Sequence, residues 1–262
     1  DLIGYYNPLT KKYDRSNAKI YDGLMILNQE REKSQYPYIV LLDEANLSPM
    51  EYYWADFMRV ADKSHANSYI NIGLSDEIYI PNTLRFLATI NNDQTTERLS
   101  PRLIDRSWIV KLPKVKFDEE TNLDNNLPMP LVNWADLENA FIKSDSNDII
   151  LKTPLEQIYT LFDDNRLSVS PRVKLSILKY VCVAQEIMED EPGICNKKEK
   201  ALDFAVLQKL LPKIDGYYTS YERLFKSLLQ ICEDNHLKMT KAAIQSMQNN
   251  QEQNMGYCQY LV

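Results

Sequence analysis

The sequence lacks several features that would place it in a class of protein at once. It has no apolar run of about 18 residues and no signal-peptide pattern at its start, so we expect a cytoplasmic protein that is neither inserted in a membrane nor secreted. It has only six glycines, and none of them is followed by lysine. This excludes a phosphate-binding loop of the GxxxxGK type within these 262 residues.

Cysteine and histidine are too few and too scattered to predict a zinc site. The four cysteines are Cys182, Cys195, Cys232 and Cys258, and they contain no CxxC pair. The two histidines, His65 and His236, form no cluster with them. Since zinc sites need clustered ligands, we interpret these cysteines as reduced thiols and assign no metal to them.

Basic residues are outnumbered, with 30 Lys and Arg against 37 Asp and Glu, which gives a net charge of -7. This balance argues against a basic surface along the whole chain for nucleic acid, although a local patch could survive it. We therefore expect any contact with DNA to lie outside this chain.

The most informative stretch begins with the apolar run Ile39–Leu42. The run has no polar alternation, which predicts a strand buried on both faces of a parallel sheet. It stops at two adjacent carboxylates, Asp43 and Glu44. The acidic pair is therefore expected at the carboxyl end of a central strand, where open α/β sheets bind their ligands.

A helix is predicted after the acidic pair. Ser48 can act as its N-cap, Pro49 fits its first turn, and Glu51 completes a capping box with Ser48. The apolar face of this helix is predicted to consist of Met50, Tyr53, Trp54, Phe57, Met58 and Ala61. The helix should pack back against the sheet.

Further strands are predicted downstream. Residues 69–72 and 78–80 indicate a β-hairpin, residues 85–90 a second buried strand that ends in Asn91, and residues 108–112 a third strand. Residues 113–130 then turn polar and indicate a linker. Beyond it we predict no strand, and the predicted helices are residues 171–188 with Ser170 as N-cap, 201–211, 221–232 and 241–247.

This order of elements resembles the AAA+ ATPases, specifically the McrB-like branch near the dynein-related and MoxR-like groups. The matching stretches are DLIGYYNPLT, LLDEANLSPMEYYWADF, FLATINNDQTTERLSPRLIDR, LSVSPR and ALDFAVLQKLLPKI. The resemblance implies an α/β fold in which residues 1–113 form part of an AAA+ parallel sheet with helices. Residues 114–262 would then form an all-α lid domain.

The resemblance also implies roles for residues at the strand ends. Asp43 and Glu44 match the Walker B motif, in which the first acid holds Mg²⁺ through water and the second activates the attacking water. Asn91 corresponds to sensor 1, an amide that orients water beside the γ-phosphate and contacts the nucleotide. Asn92 competes for that role, and a plain strand-end turn is the structural alternative for either residue.

Two arginines match positions that contact phosphate in the family, and a third is the alternative for one of them. Arg106 matches the arginine finger, which reaches into the site of a neighbouring subunit, and Arg102 is the alternative. Arg172 matches sensor 2, in the first turn of a helix whose dipole would also favour an anion. The structural alternatives are a solvated arginine, or a salt bridge to Asp105 for the first two.

The absent phosphate loop is a large departure from the family, whose Walker A segment precedes the DLIG-like stretch. We therefore expect the chain to be truncated on its N-terminal side and inactive by itself. The missing strand would leave residues 85–90 and 108–112 without the neighbour that they share in the family, with unpaired backbone groups.

The function implied is that of the C-terminal portion of an AAA+ NTPase, which hydrolyses ATP or GTP with Mg²⁺ as an oligomeric motor. The resemblance implies self-association into a ring, expected to be a hexamer, and a nuclease partner if the protein belongs to a McrBC-like DNA restriction system. The alternative is a degenerate AAA+ scaffold without hydrolysis, which the intact pair Asp43–Glu44 disfavours. Direct acid/base hydrolysis by that pair is disfavoured because adjacent strand residues point to opposite faces.

Overall fold

The computed structural model describes residues 2–16, 18, 20–61, 68–73, 76–93, 95–112, 130–141, 149–190 and 196–261. The chain divides into two units. The first comprises Asp1–Leu103 with Asn126–Leu137, and the second comprises Ile104–Asn125 with Glu138–Val262. The first division between units therefore falls ten residues before the boundary that we placed after Pro113. The predicted linker, residues 113–130, lies outside the described residues except for Pro130.

The first unit combines short strands and helices. Its elements are β1 (Tyr5–Asn7), β2 (Lys12–Asp14), α1 (Tyr21–Glu30), β3 (Tyr38–Leu42), α2 (Met50–Tyr53), α3 (Ala55–Ala61), β4 (Tyr69–Gly73), β5 (Asp76–Tyr79) and β6 (Leu84–Ala88). Helices α4 (Pro101–Arg106) and α5 (Trp134–Phe141) each run from one unit into the other along the chain. The strands pair as two antiparallel hairpins, β1 with β2 and β4 with β5, and one parallel pair, β3 with β6.

The parallel pair confirms two of the predicted strands and shows their register. Tyr38 lies opposite Leu84, and Leu42 lies opposite Ala88, so both strands end at the same level. The predicted hairpin at β4 and β5 is confirmed as well. The sequence did not predict the hairpin of β1 and β2.

Burial of the parallel pair differs from the prediction. Ile39, Leu41 and Leu87 remain 68%, 59% and 60% exposed, so the expectation of burial on both faces was wrong for this structure. The opposite face is covered by α2 and α3, where the rings of Trp54 and Phe57 pack on Phe86 at centroid distances of 5.2 and 4.9 Å. An unbroken apolar run makes both faces of a strand suitable for burial, but these helices cover only one of them.

The first helix after the acidic pair begins later than predicted. Residues 45–47 form a 3₁₀ turn, α2 starts at Met50, and no side chain caps its first turn. The predicted capping box of Ser48 and Glu51 is therefore wrong, because the chain is still extended at Ser48 and at Pro49 the backbone is not yet helical. Three residues of the predicted apolar face, Met50, Trp54 and Phe57, are buried.

The second unit is mainly helical. Its elements are α6 (Ile149–Asp164), α7 (Pro171–Ile187), α8 (Lys197–Ala205), β7 (Asp215–Tyr217), α9 (Tyr218–Asp234), α10 (Lys238–Gln253) and β8 (Tyr257–Gln259). These helices confirm the four that we predicted, and Ser170 caps α7 by accepting a hydrogen bond from the backbone N–H of Val173. Helix α8 continues into a π-helical turn, Val206–Leu210, and a 3₁₀ turn, Leu211–Lys213.

Two predictions on strands fail in the second unit. Residues 108–112 form no strand, and the backbone N–H of Ile109 instead donates to the carbonyl of Gln208 at 3.1 Å. Strands β7 and β8 pair antiparallel where we predicted none, and three residues each is too short for a periodic signal. Among the described residues, no helix is long and apolar enough to cross a membrane.

Candidate functional site

The ends of β3 and β6 bring the predicted acidic residues beside the polar residues that follow β6. Because the two strands are parallel and end in register, the segments after Leu42 and Ala88 leave the sheet together. The backbone N–H of Thr89 donates to the carbonyl of Leu42 at 2.9 Å, and the N–H of Ala45 donates to the carbonyl of Thr89 at 2.8 Å. This exchange extends the strand pairing past the acidic pair.

The hydroxyl of Thr89 holds the acidic pair in place. It donates to Oδ1 of Asp43 at 2.6 Å and accepts the backbone N–H of Glu44 at 2.8 Å. Glu44 itself has a φ of 48°, in the left-handed region, which a residue with a Cβ adopts at a cost that surrounding structure must offset. Thr89 was not predicted as a site residue, because the second strand was predicted to continue to residue 90, whereas β6 ends at Ala88.

The structure brings the side chain of Asn91 to Glu44. Its Nδ2 donates to Oε1 of Glu44 at 3.2 Å. Asn92 forms no hydrogen bond with either acid in the described part of the chain, so Asn91 is the amide that contacts the acidic pair.

Asn46 joins the two strand ends and was also missed. It is 4% exposed, and its Nδ2 donates to the carbonyls of Asn91 at 2.7 Å and Glu97 at 3.0 Å. Its Oδ1 accepts the backbone N–H of Asn91 at 3.1 Å. A buried amide whose oxygen and nitrogen are both satisfied fixes the backbone on which Asn91 stands. No periodicity in the sequence distinguishes such an asparagine from one in a turn.

The residues at the strand ends fit Mg²⁺ only as a partly hydrated ion. Mg²⁺ keeps several waters and is held by one or two carboxylates together with the phosphates of a substrate. Asp43 is exposed, and its Oδ2 accepts no hydrogen bond from the described residues. Among the described residues, no group of three His, Cys, Asp or Glu side chains could hold a metal without such help.

A second polar cluster forms around Asp105 in the helical unit. Its Oδ2 accepts from Nη2 of Arg172 at 2.7 Å and from the hydroxyl of Ser170 at 2.9 Å, and its Oδ1 accepts from Nζ of Lys213 at 2.6 Å. Burial by itself raises the pKa of Asp105, but the hydrogen bonds from Lys213 and Arg172 outweigh it and lower the pKa to about 2. Arg172, predicted to contact nucleotide, is therefore an ion-pair partner of Asp105, with its side chain 41% exposed.

The other predicted arginines lie on α4. Arg102 is exposed in its first turn, and Arg106 is partly exposed at its last residue. Next to Arg106, Lys209 donates from Nζ to the carbonyl of Asp105 at 3.1 Å and to the carbonyl of Ser107 at 2.6 Å. Burial lowers the pKa of Lys209 to about 8, although Asp105 opposes that shift. Lys209 was not predicted as a site residue, because it lies within an apolar stretch whose pattern predicts only a helix.

Replacing Asp105 by asparagine is expected to lower the free energy of unfolding of the helical unit by about 2 kcal/mol. This lies between the losses expected on breaking an exposed and a buried ion pair. Because its pKa is lowered from 3.8 to about 2, the contribution of Asp105 is present above pH 3.8 and is lost as the pH falls through about 2. Urea unfolding of Asp105→Asn at pH 7 measures the loss. Asp164→Asn, at an exposed site in α6, is the matched control and should change stability by less than about 0.5 kcal/mol. Equal stability of Asp105→Asn and wild type would contradict the prediction.

The predicted site residues thus fall into two groups. Asp43, Glu44 and Asn91 belong to the first unit, and Arg106 and Arg172 belong to the second. Within the first group, Thr89 contacts both Asp43 and the backbone of Glu44, and Asn91 contacts the Glu44 carboxylate. Within the second group, Arg172 pairs with Asp105, the residue next to Arg106.

Comparison with known proteins adds a family for the helical part of the chain. No curated protein and no solved structure matches the sequence. A family model described as a domain of unknown function, DUF8727, matches residues 122–257, just over half of the chain. This range contains α5 to α10 and both Arg172 and Lys209. The chain therefore belongs to the DUF8727 family.

Proposed function

We propose that this chain is the Walker B, sensor and arginine-finger portion of an AAA+ nucleoside triphosphatase of the McrB-like branch, with DUF8727 as its helical lid. The observation that carries the proposal is the hydrogen-bonded set Asp43–Thr89 and Glu44–Asn91 at the ends of two adjacent parallel strands. Ligands of open α/β sheets bind at this edge. In the proposed fold, β3 and β6 belong to a larger parallel sheet, and the exposed face with Ile39 and Leu41 is covered by further elements.

Each residue of the set has a distinct role in the proposed hydrolysis of ATP or GTP. Asp43, oriented by Thr89, would hold a hydrated Mg²⁺, which would neutralise charge on the phosphates. Glu44 accepts the proton of the attacking water. Asn91 donates to Glu44 and can orient the same water beside the γ-phosphate.

The proposal requires a phosphate-binding loop from outside these 262 residues, because none of the six glycines precedes a lysine. It also requires a ring of subunits, expected to be a hexamer, in which Arg106 acts on the nucleotide of a neighbour. In a McrBC-like restriction system the ring would work with a nuclease subunit and contact DNA through regions outside this chain. These partners follow from the resemblance alone, since a fold does not fix a function.

The contact between Asn91 and Glu44 favours hydrolysis over a scaffold. A scaffold needs neither a second acid nor an amide aimed at it, whereas a hydrolase needs both close to one water. A gene that encodes a phosphate loop ahead of this segment would support the hydrolase. If the gene and its partners supply no such loop, the scaffold becomes the better assignment.

The isolated chain is expected to show no ATP or GTP hydrolysis, because it cannot cradle the phosphates. A polypeptide in which the same residues follow a phosphate loop is expected to hydrolyse one of the two nucleotides with Mg²⁺. Release of inorganic phosphate, measured for both proteins at equal concentration, tests this. Turnover by the isolated chain that disappears in Glu44→Gln would refute the need for an external loop, and an inactive longer protein would contradict the proposed activity.

A further inference from the structure

Lys209 is a buried lysine whose ammonium contacts the backbone on both sides of Arg106. It is 2% exposed, and Nζ donates to the carbonyls of Asp105 and Ser107, the residues that flank Arg106 in sequence. The ring of Trp108 lies 5.5 Å from the same Nζ. A cation at this point also satisfies carbonyls at the C-terminal end of α4, where the helix dipole favours positive charge.

The helix that carries Lys209 departs from α-helical geometry at this residue. Residues Val206–Leu210 form a π-helical turn, which inserts extra backbone into the turn and changes the direction of the side chains that follow. Such turns are rare in proteins, and those that occur are frequently found at functional sites. A buried lysine is also a poor choice for stability alone, since an apolar residue of similar size usually serves a core better than a buried charge.

A second lysine fixes the side chain of Asp105 as Lys209 fixes its backbone. Nζ of Lys213 donates to Oδ1 of Asp105 at 2.6 Å, while Arg172 and Ser170 bind the other oxygen. The two lysines lie four residues apart, with Lys209 on the π-helical turn and Lys213 on the 3₁₀ turn after it. Residue 105 is therefore held at its backbone carbonyl and at both carboxylate oxygens.

We propose that Lys209 is a positioning residue for Arg106, and that it sets the direction of Arg106 by holding the carbonyls on either side of it. The inference rests on the proposed function, in which Arg106 acts on the nucleotide of a neighbouring subunit. Lys209 does not touch the reacting atoms. It determines how well Arg106 reaches them, and a misplacement of about 1 Å at such a group can cost about 10²-fold in rate.

Lys209→Met in the hydrolysing protein tests this inference, because methionine fills a similar volume without the two donors. We expect kcat to fall by about 10²-fold while KM stays within about twofold of wild type. The double variant Lys209→Met with Arg106→Ala should be no slower than Arg106→Ala, since a positioning residue has nothing left to position. Lys241→Met, which removes an exposed ion pair to Glu233 in the same unit, is the matched control and should leave kcat unchanged.

The outcomes separate this inference from the proposed function. A fully active Arg106→Ala overturns the role of Arg106 and the inference with it. An inactive Arg106→Ala beside a Lys209→Met of wild-type kcat, or additive losses in the double variant, overturns the inference alone. If Lys209→Met does not fold, Lys213→Met takes its place, and the same split between kcat and KM is expected from loss of the contact with Asp105.

Discussion

Replacing Arg106 by alanine in the nucleotide-hydrolysing protein is expected to lower kcat by about 10³- to 10⁵-fold, the range of arginines that act on a transferring phosphoryl group. Arg106 is the last residue of α4, is partly exposed, and lies between two carbonyls held by Lys209. A guanidinium that acts on the neighbouring subunit contributes to the transition state there and not to binding in its own site. Nucleotide affinity, measured by fluorescence titration, should therefore remain within about threefold of wild type while hydrolysis is lost.

Two further arginines make this prediction specific. Arg223→Ala, at an exposed position of α9, is the matched control and should retain wild-type hydrolysis. Arg102→Ala addresses the alternative finger in the first turn of α4. Loss of activity in Arg102→Ala together with full activity in Arg106→Ala would transfer the role to Arg102.

Mixing inactive subunits tests whether Arg106 acts between subunits. Arg106→Ala subunits keep Glu44, and Glu44→Gln subunits keep Arg106, so a mixed ring contains some interfaces with both groups. Hydrolysis should then return in the mixture of two inactive proteins, provided that the sites are not strictly coupled. Recovery would also exclude an action of Arg106 within its own subunit, because neither protein carries both groups.

Replacing Glu44 by glutamine is the second large effect that we expect, a loss of about 10²- to 10⁴-fold in kcat, the range for a general base. The substitution removes the proton acceptor and keeps the shape of the side chain. Its amide oxygen can still accept the hydrogen bond that Nδ2 of Asn91 gives to Oε1 of Glu44. The backbone N–H of residue 44 can still donate to Thr89, so Asp43 should keep its orientation and Mg²⁺-dependent binding should persist. Steady-state phosphate release and nucleotide titration measure the two quantities.

Glu77→Gln is the matched control for Glu44→Gln. Glu77 is exposed on β5 and is distant in sequence from both strand ends, so the same loss of one negative charge should leave kcat unchanged. Wild-type turnover in Glu44→Gln would mean that another group activates the water. Equal losses in both variants would attribute the effect to net charge.

The position of the acidic pair could be predicted from sequence, and the contacts that hold it could not. An apolar run that stops at Asp43 and Glu44 predicts a strand with acids at its end, and β3 is that strand. Thr89 and Asn46 form hydrogen bonds with residues more than 40 positions away in the sequence, because the two strand ends are paired. Local patterns carry no information on such pairs, because they depend on the register of two distant strands.

Two helix starts and one buried lysine show the same limit of local sequence patterns. Ser170 followed by Pro171 predicts the start of α7 from two adjacent residues, and the structure confirms it. Ser48 followed by Pro49 has the same pattern and caps no helix, because the backbone at Pro49 is not yet helical and α2 begins at Met50. Lys209 lies in an apolar stretch where helical spacing predicts burial of its neighbours, and its own burial depends on carbonyls about 100 residues away.

The measurement that tests the central claim most directly is the chemical state of the nucleotide bound to the protein. The longer protein and its Glu44→Gln variant are incubated with Mg²⁺ and nucleoside triphosphate, separated from free nucleotide, quenched with acid and analysed by chromatography. We expect mainly bound diphosphate in the wild type and mainly bound triphosphate in Glu44→Gln, because Asp43 still supports binding while no group activates the water. The same high fraction of diphosphate in both proteins would contradict the role of Glu44, and the absence of bound nucleotide from both would contradict the nucleotide site itself.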